Sequence, residues 1–169
     1  MQKGYYIIVR GPAASGKSTV SKNLAEHLNA HYIELDKVRE KHKLRSRIRD
    51  RLKANQIIIP QIKRLVEEGK IVVIDDVFYQ KRPLNHLIES LPYDHIVFTL
   101  KAPLEFVLER NMSREKNIPR KMVKDAWRMA MSFDHGIVID NTMKFSRTLE
   151  KIISYIPRRM LKLARKVSD

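Results

Sequence analysis

Cysteine is absent from the 169 residues. That excludes a disulfide framework and a thiolate metal site, and makes a reducing cytoplasm the natural compartment. No apolar run approaches the roughly 18 residues of a membrane span, and the short lysine-bearing leader lacks the apolar core of a secretion signal. A cytoplasmic chain without membrane contact is the expectation. Internal repeats, low-complexity tracts and linkers are missing too, so residues 1–169 read as one domain, long enough to bury about 70 % of its unfolded surface. His27 and His31 have a metal-ligand spacing, but no third ligand accompanies them.

Negative charge is the other scarcity. Nineteen Asp and Glu stand against 34 Lys and Arg, a formal net charge of +15. The excess is concentrated in two places. Between residues 37 and 53 every odd position is basic, from Lys37, Arg39 and Lys41 to Arg51 and Lys53, against Glu40 and Asp50 alone. A helix over 145–169 carries a second cluster, including Arg147, Lys151, Arg158, Arg159 and Lys162. Basic residues two apart rotate about 200° around a helix, so the first segment reads as an exposed arm, charged nearly all round except at a seam of Leu44, Ile48 and Leu52. An excess without internal partners points to a polyanionic ligand; a solvated basic face is the alternative.

Strand-like runs recur at Tyr5 to Arg10, His31 to Leu35, Ile71 to Asp75, His95 to Leu100 and Gly136 to Asp140, with helical patterns between nearly all of them. This alternation predicts an α/β chain in which a parallel sheet is covered by helices on both faces. Pro83, Pro103 and Pro119 suit helix starts. After Pro119, Met122, Ala126, Met129 and Phe133 fall on one side, and Pro157 bends or restarts the last helix.

Chemistry is most legible at residues 11 to 18. They read Gly-Pro-Ala-Ala-Ser-Gly-Lys-Ser, a complete phosphate loop between an apolar run and an amphipathic pattern. Gly11, Ala13, Ala14, Ser15, Gly16, Lys17, Ser18 and Thr19 are the nucleotide-binding candidates. Lys17 is expected to reach the β- and γ-phosphates and Ser18 to hold Mg²⁺. The loop alone leaves kinase, ATPase and GTPase open. Asp36 and Arg39 follow the second strand in a D-x-x-R spacing, where a carboxylate could accept an acceptor's proton and the arginine hold its negative group. A capping Asp with a surface Arg is the bland reading. The third strand ends in Asp75 and Asp76, one of them expected near the metal and the sequence silent on which. Arg110 and Arg114, four apart, could both face one phosphoryl group from a lid over about 110–120.

Together these stretches resemble the kinase domain of the L-seryl-tRNA(Sec) kinases and related polynucleotide-kinase-like P-loop kinases. The likeness is closest at Asp36-Lys37-Val38-Arg39, at Val73 to Tyr79, and from Leu100 through Arg110-Asn111 and Arg114 to Ile118-Pro119. It implies a P-loop kinase fold of five parallel strands with a small arginine-bearing lid. ATP and Mg²⁺ are the implied cofactors, with Lys17, Asp36, Arg110 and Arg114 catalytic. Val77 and Phe78 replace residues that are commonly small polar and asparagine in that family. The chain also ends where the family would continue into a tRNA-binding domain. The expected activity is ATP-dependent phosphorylation of a hydroxyl on a nucleic acid or an RNA-borne group, with RNA or tRNA as partner and both basic segments holding it. A small-molecule kinase and an RNA-binding regulatory ATPase are the alternatives.

Overall fold

The computed structural model describes residues 3–115 and 117–166. Lys116 of the expected lid and the end of the basic tail from Val167 lie outside the described residues. Five strands, β1 (Tyr5–Arg10), β2 (His31–Glu34), β3 (Ile71–Asp76), β4 (His95–Lys101) and β5 (Ile137–Asp140), form one sheet in the order β2-β3-β1-β4-β5. Every pairing is parallel, with Ile7 level with Val73 on one side of β1 and with Ile96 on the other.

A central parallel strand is covered on both faces, so it needs apolar side chains at every position rather than at alternate ones. Tyr5, Ile7 and Val9 point into one core layer and Tyr6 and Ile8 into the other. The first layer is closed by α1 (Lys17–His27), α7 (Phe145–Ser154) and α8 (Arg158–Lys166), the second by α2 (Leu35–Lys41), α3 (Ile48–Glu67) and α4 (Lys81–Ser90). Two further helices, α5 (Leu104–Met112) and α6 (Arg120–Ala130), pack on each other around Val107 and Val123. Pro103 and Pro119 cap them, and Pro157 separates α7 from α8. No helix among the described residues is long and apolar enough to cross a membrane.

Four expectations change. Residues 37–53 do not form a free arm: they comprise α2, a tight loop in which Lys43 has φ 53°, and the start of α3, with Arg39 and Arg51 buried. The buried stripe of α3 is Arg51, Ala54, Asn55, Ile58 and Ile62, whereas Ile48 is exposed, and the helix runs unbroken through Pro60. On α6 the buried side is Val123, Ala126 and Ala130; Met122 and Met129 face solvent and Phe133 lies past the helix end.

The basic tail is the fourth. The Tyr5 hydroxyl donates to the Met160 carbonyl at 3.3 Å and Arg159 pairs with Asp94, so α8 lies at the N-terminal end of β1. Gly11 is at the other end, roughly 20 Å away for six residues of strand. The α8 end of the tail and the phosphate loop therefore occupy opposite ends of the sheet, whereas α7 starts soon after β5, at the phosphate-loop end.

Candidate functional site

In open parallel sheets, ligands bind beyond the carboxyl ends of the strands. Here the loop after β1 and the start of α1 enclose a cavity of about 340 Å³ at that edge. Its walls include Ala13, Ala14, Gly16, Lys17, Ser18 and Thr19 of the phosphate loop, Glu34 and Asp36 after β2, Val77 after β3, and Arg110 and Arg114. Residues as far apart in sequence as Pro12 and Ile118 thus meet around one space.

The loop's shape depends on its glycines. Gly16 has φ 86°, and a Cβ there would come within 3.2 Å of the Arg110 guanidinium. At Gly11 a Cβ would stand 3.0 Å from the Leu100 carbonyl. Ser15 is fully buried; its Oγ has no partner, and its carbonyl accepts hydrogen bonds from Arg110 and from Asn141 Nδ2, the latter at 2.6 Å. Asn141 is itself anchored by its backbone N–H to the Lys101 carbonyl at 2.8 Å. The family likeness extends to Asp140-Asn141-Thr142, but the hold of Asn141 on the phosphate loop depends on a contact across the sheet.

The two carboxylates ending β3 separate into different roles. Asp75 pairs with Lys17 through Oδ1 and accepts from the Tyr32 hydroxyl at Oδ2, 2.8 Å away. Asp76 accepts from Arg39 at 2.6 Å and from Arg51 at 3.1 Å. Burial alone would raise the Asp76 carboxyl, but the two guanidiniums outweigh it and hold it below the usual carboxylate range. Arg39 reaches onward to Asp36, whose side chain is 59 % exposed at the cavity. The ring of Tyr79 lies 4.6 Å from the Arg51 guanidinium. Hence Arg39, expected to meet the acceptor, is only 4 % exposed and is engaged by Asp36 and Asp76, with its Nη1 unpartnered. Asp76, one of the two metal candidates, has both oxygens occupied by guanidiniums.

At the opposite wall, Arg110 lies 4.3 Å from the ring of Phe106. Asn111 closes the turn that carries Arg114: its Nδ2 donates to the Ile118 carbonyl at 2.8 Å and its Oδ1 accepts from the Ile118 N–H at 3.1 Å. Beneath the loop, Arg10 is wholly buried. It donates to the carbonyls of Ala130 (2.7 Å), Phe133 (2.9 Å) and Phe78 (3.3 Å). Burial pushes its pKa down to about 10, with Asp134 and Asp76 opposing the shift. Arg10 thereby ties the residue before the phosphate loop to the ends of β3 and α6.

The fold and the motif agree with what known proteins show. A model of the AAA domain family matches residues 7–134. The L-seryl-tRNA(Sec) kinase of Methanococcus maripaludis is 28 % identical over 182 aligned residues, covering 93 % of this chain and 68 % of that protein. A sugar kinase from Janibacter sp. superimposes with a TM-score of 0.77 at 17 % identity, covering 90 % of this chain and 94 % of the other. For a gluconokinase from Sinorhizobium meliloti the TM-score is 0.72 at 16 % identity, with 99 % and 98 % covered. Structural likeness at such identities establishes the P-loop kinase fold and leaves the acceptor to the chemistry of the site.

Proposed function

Since the chain belongs to the AAA domain family and has the fold of a P-loop kinase, we propose that it transfers the γ-phosphoryl group of ATP to a hydroxyl of a nucleic acid or of a group carried on RNA. The observation that carries the acceptor is the loop joining α2 to α3. Lys41, Lys43, Arg45 and Arg47 are all exposed there and make no ion pair among the described residues. They lie in the chain between Asp36, which lines the cavity, and Arg51, which pairs with Asp76, and a phosphate backbone reaching Asp36 could meet them.

ATP and Mg²⁺ fit the residues present. The buried Ser15 Oγ without a partner and the left-handed Gly16 belong to a loop whose N–H groups can turn toward phosphate. No group of three His, Cys, Asp or Glu among the described residues could hold a metal alone. Mg²⁺ commonly takes one or two protein oxygens and completes its shell with phosphate and water, and Ser18 with Asp75 supplies such a pair. When bound, ATP with Mg²⁺ supplies the phosphoryl group and charge compensation on its oxygens. Around it, Lys17 would leave Asp75 for the β- and γ-oxygens, and Asp36, oriented by Arg39, would accept the acceptor's proton. Arg110 and Arg114 would neutralise developing charge from the lid and exclude water.

A small-molecule acceptor is the second reading, favoured by full-length structural likeness to a gluconokinase. Transfer from γ-labelled ATP to a panel of tRNA, 5′-hydroxyl oligonucleotides, nucleosides and sugars separates the two. Under the nucleic-acid reading, label goes to the polynucleotides, and replacing Lys43, Arg45, Arg47 and Arg49 by Glu raises their KM while sparing basal ATP hydrolysis. The slope of log affinity against log salt then becomes shallower by about 3. Label on a sugar or nucleoside, with a KM flat in salt, makes the small-molecule reading correct.

A further inference from the structure

Tyr32 is not part of the motifs that mark this site, yet it touches the centre of it. It lies on β2, level with Val73, with its ring half-buried and the Lys22 ammonium 5.9 Å from the ring centre. Its hydroxyl is 2.8 Å from Asp75 Oδ2 and 3.5 Å from Glu34 Oε2. A phenol has one proton to give, and the shorter contact takes it, so Tyr32 donates to Asp75.

Asp75 is 1 % exposed and is held at both oxygens, Oδ1 by Lys17 and Oδ2 by Tyr32. These two partners differ in permanence. Lys17 belongs to the phosphate loop, whose lysine serves the β- and γ-phosphates when nucleotide is present. Once the ammonium turns to them, Tyr32 is the remaining side chain among the described residues that holds this carboxylate. From this geometry we infer that Tyr32 is a positioning residue of the metal side of the cavity: its hydroxyl aims the Asp75 carboxylate. The inference rests on the reading of the cavity as an ATP and Mg²⁺ site. Partners that orient ligating carboxylates in this way are commonly worth 10–100-fold in metal affinity.

The test uses the full chain and Tyr32→Phe, which keeps the ring and removes only the hydroxyl. Mn²⁺ binding is titrated by electron paramagnetic resonance in the presence of a non-hydrolysable ATP analogue, and analogue binding is measured separately in chelator. Mn²⁺ affinity should fall about 10-fold or more, while metal-free analogue affinity stays within about twofold and the melting temperature within about 3 °C, the equivalent of roughly one weak hydrogen bond. A purely structural role for the hydroxyl gives the reverse pattern, a lower melting temperature with unchanged Mn²⁺ affinity, and overturns the inference. Asp75→Asn is measured in parallel. If it weakens Mn²⁺ binding and Tyr32→Phe does not, the Tyr32 role alone falls. If neither variant changes it, the assignment of Asp75 to the metal falls and takes the Tyr32 role with it.

Discussion

Replacing Asp76 by Asn tests the charge network that holds the proposed base. The carboxylate is 1 % exposed and compensates two guanidiniums that are themselves 4 % and 2 % exposed, those of Arg39 and Arg51. An amide of the same shape keeps one acceptor oxygen but leaves the buried Arg51 without a countercharge and Arg39 with the half-exposed Asp36 alone. Breaking a buried ion pair in this manner costs about 3–5 kcal/mol, and for a chain of this length each kcal/mol lowers Tm by about 2–4 °C. A drop of roughly 6–20 °C at pH 7 follows, measurable by thermal melts followed by circular dichroism. The Asp76 carboxyl is held below its ordinary value. Its contribution is therefore complete above the unfolded-state pKa of about 3.9 and disappears as pH falls through the lower folded value. The gap in Tm between wild type and Asp76→Asn should stay constant from pH 8 to pH 5 and close on further acidification. A loss under about 3 °C, or a gap indifferent to acid, would refute the network. Replacing the trio together, Arg39→Met with Arg51→Met and Asp76→Leu, should restore stability, because an apolar cluster avoids the desolvation of three charges. It should not restore transfer, since Asp36 would have lost Arg39.

Lys17→Ala should leave a folded protein that transfers no label from γ-labelled ATP; full activity in that variant would contradict the kinase assignment. Asp36→Asn should remove acceptor phosphorylation with little change in ATP-analogue affinity measured by calorimetry, because we assign its carboxylate, which lines the cavity, to the acceptor. Arg114→Ala should lower kcat far more than it raises KM for ATP, as expected of a contact made in the transition state and worth up to about 10³-fold; an equal loss confined to KM would make it a ground-state grip.

The parts legible in the sequence are those encoded locally. A phosphate loop is defined by two glycines and their neighbours, and the strands by short apolar runs, unbroken where both faces are covered as in β1 and β3, so both could be placed without knowing what packs where. The Asp36–Arg39 pair is also local, three residues apart on one helix. Its extension was not legible, because Asp76 joins Arg39 across 37 positions and Tyr32 joins Asp75 across 43. No periodicity connects such partners. The basic segment misled for a different reason. Alternate charges catch the eye at a period of two, yet α3 obeys its own period, and Arg51 falls at the head of the buried stripe that continues through Ala54, Asn55 and Ile58. An arginine in register with core residues signals a buried carboxylate, and Asp76 is that carboxylate. The methionines of α6 misled by one residue: the buried series begins at Val123 instead of Met122.

The same arginines change what the net charge of +15 means. Arg10, Arg39 and Arg51 are spent inside the protein, the first on backbone carbonyls and the other two on Asp76, so total charge overstates what the surface offers. Two basic clusters of the surface are the α2–α3 loop, which follows Asp36, and the α8 end, which the length of β1 alone puts roughly 20 Å from the phosphate loop. No nucleoside or sugar spans that distance, and the phosphates of one duplex strand advance about 3.4 Å each along the helix axis. An acceptor touching both clusters would need about six nucleotide steps, whereas one using the loop alone would need two or three. KM as a function of oligonucleotide length therefore measures which surface is used. A plateau at two or three nucleotides assigns binding to the loop and leaves the tail without a part in it, while a continued fall to six or more brings the tail into contact with the acceptor.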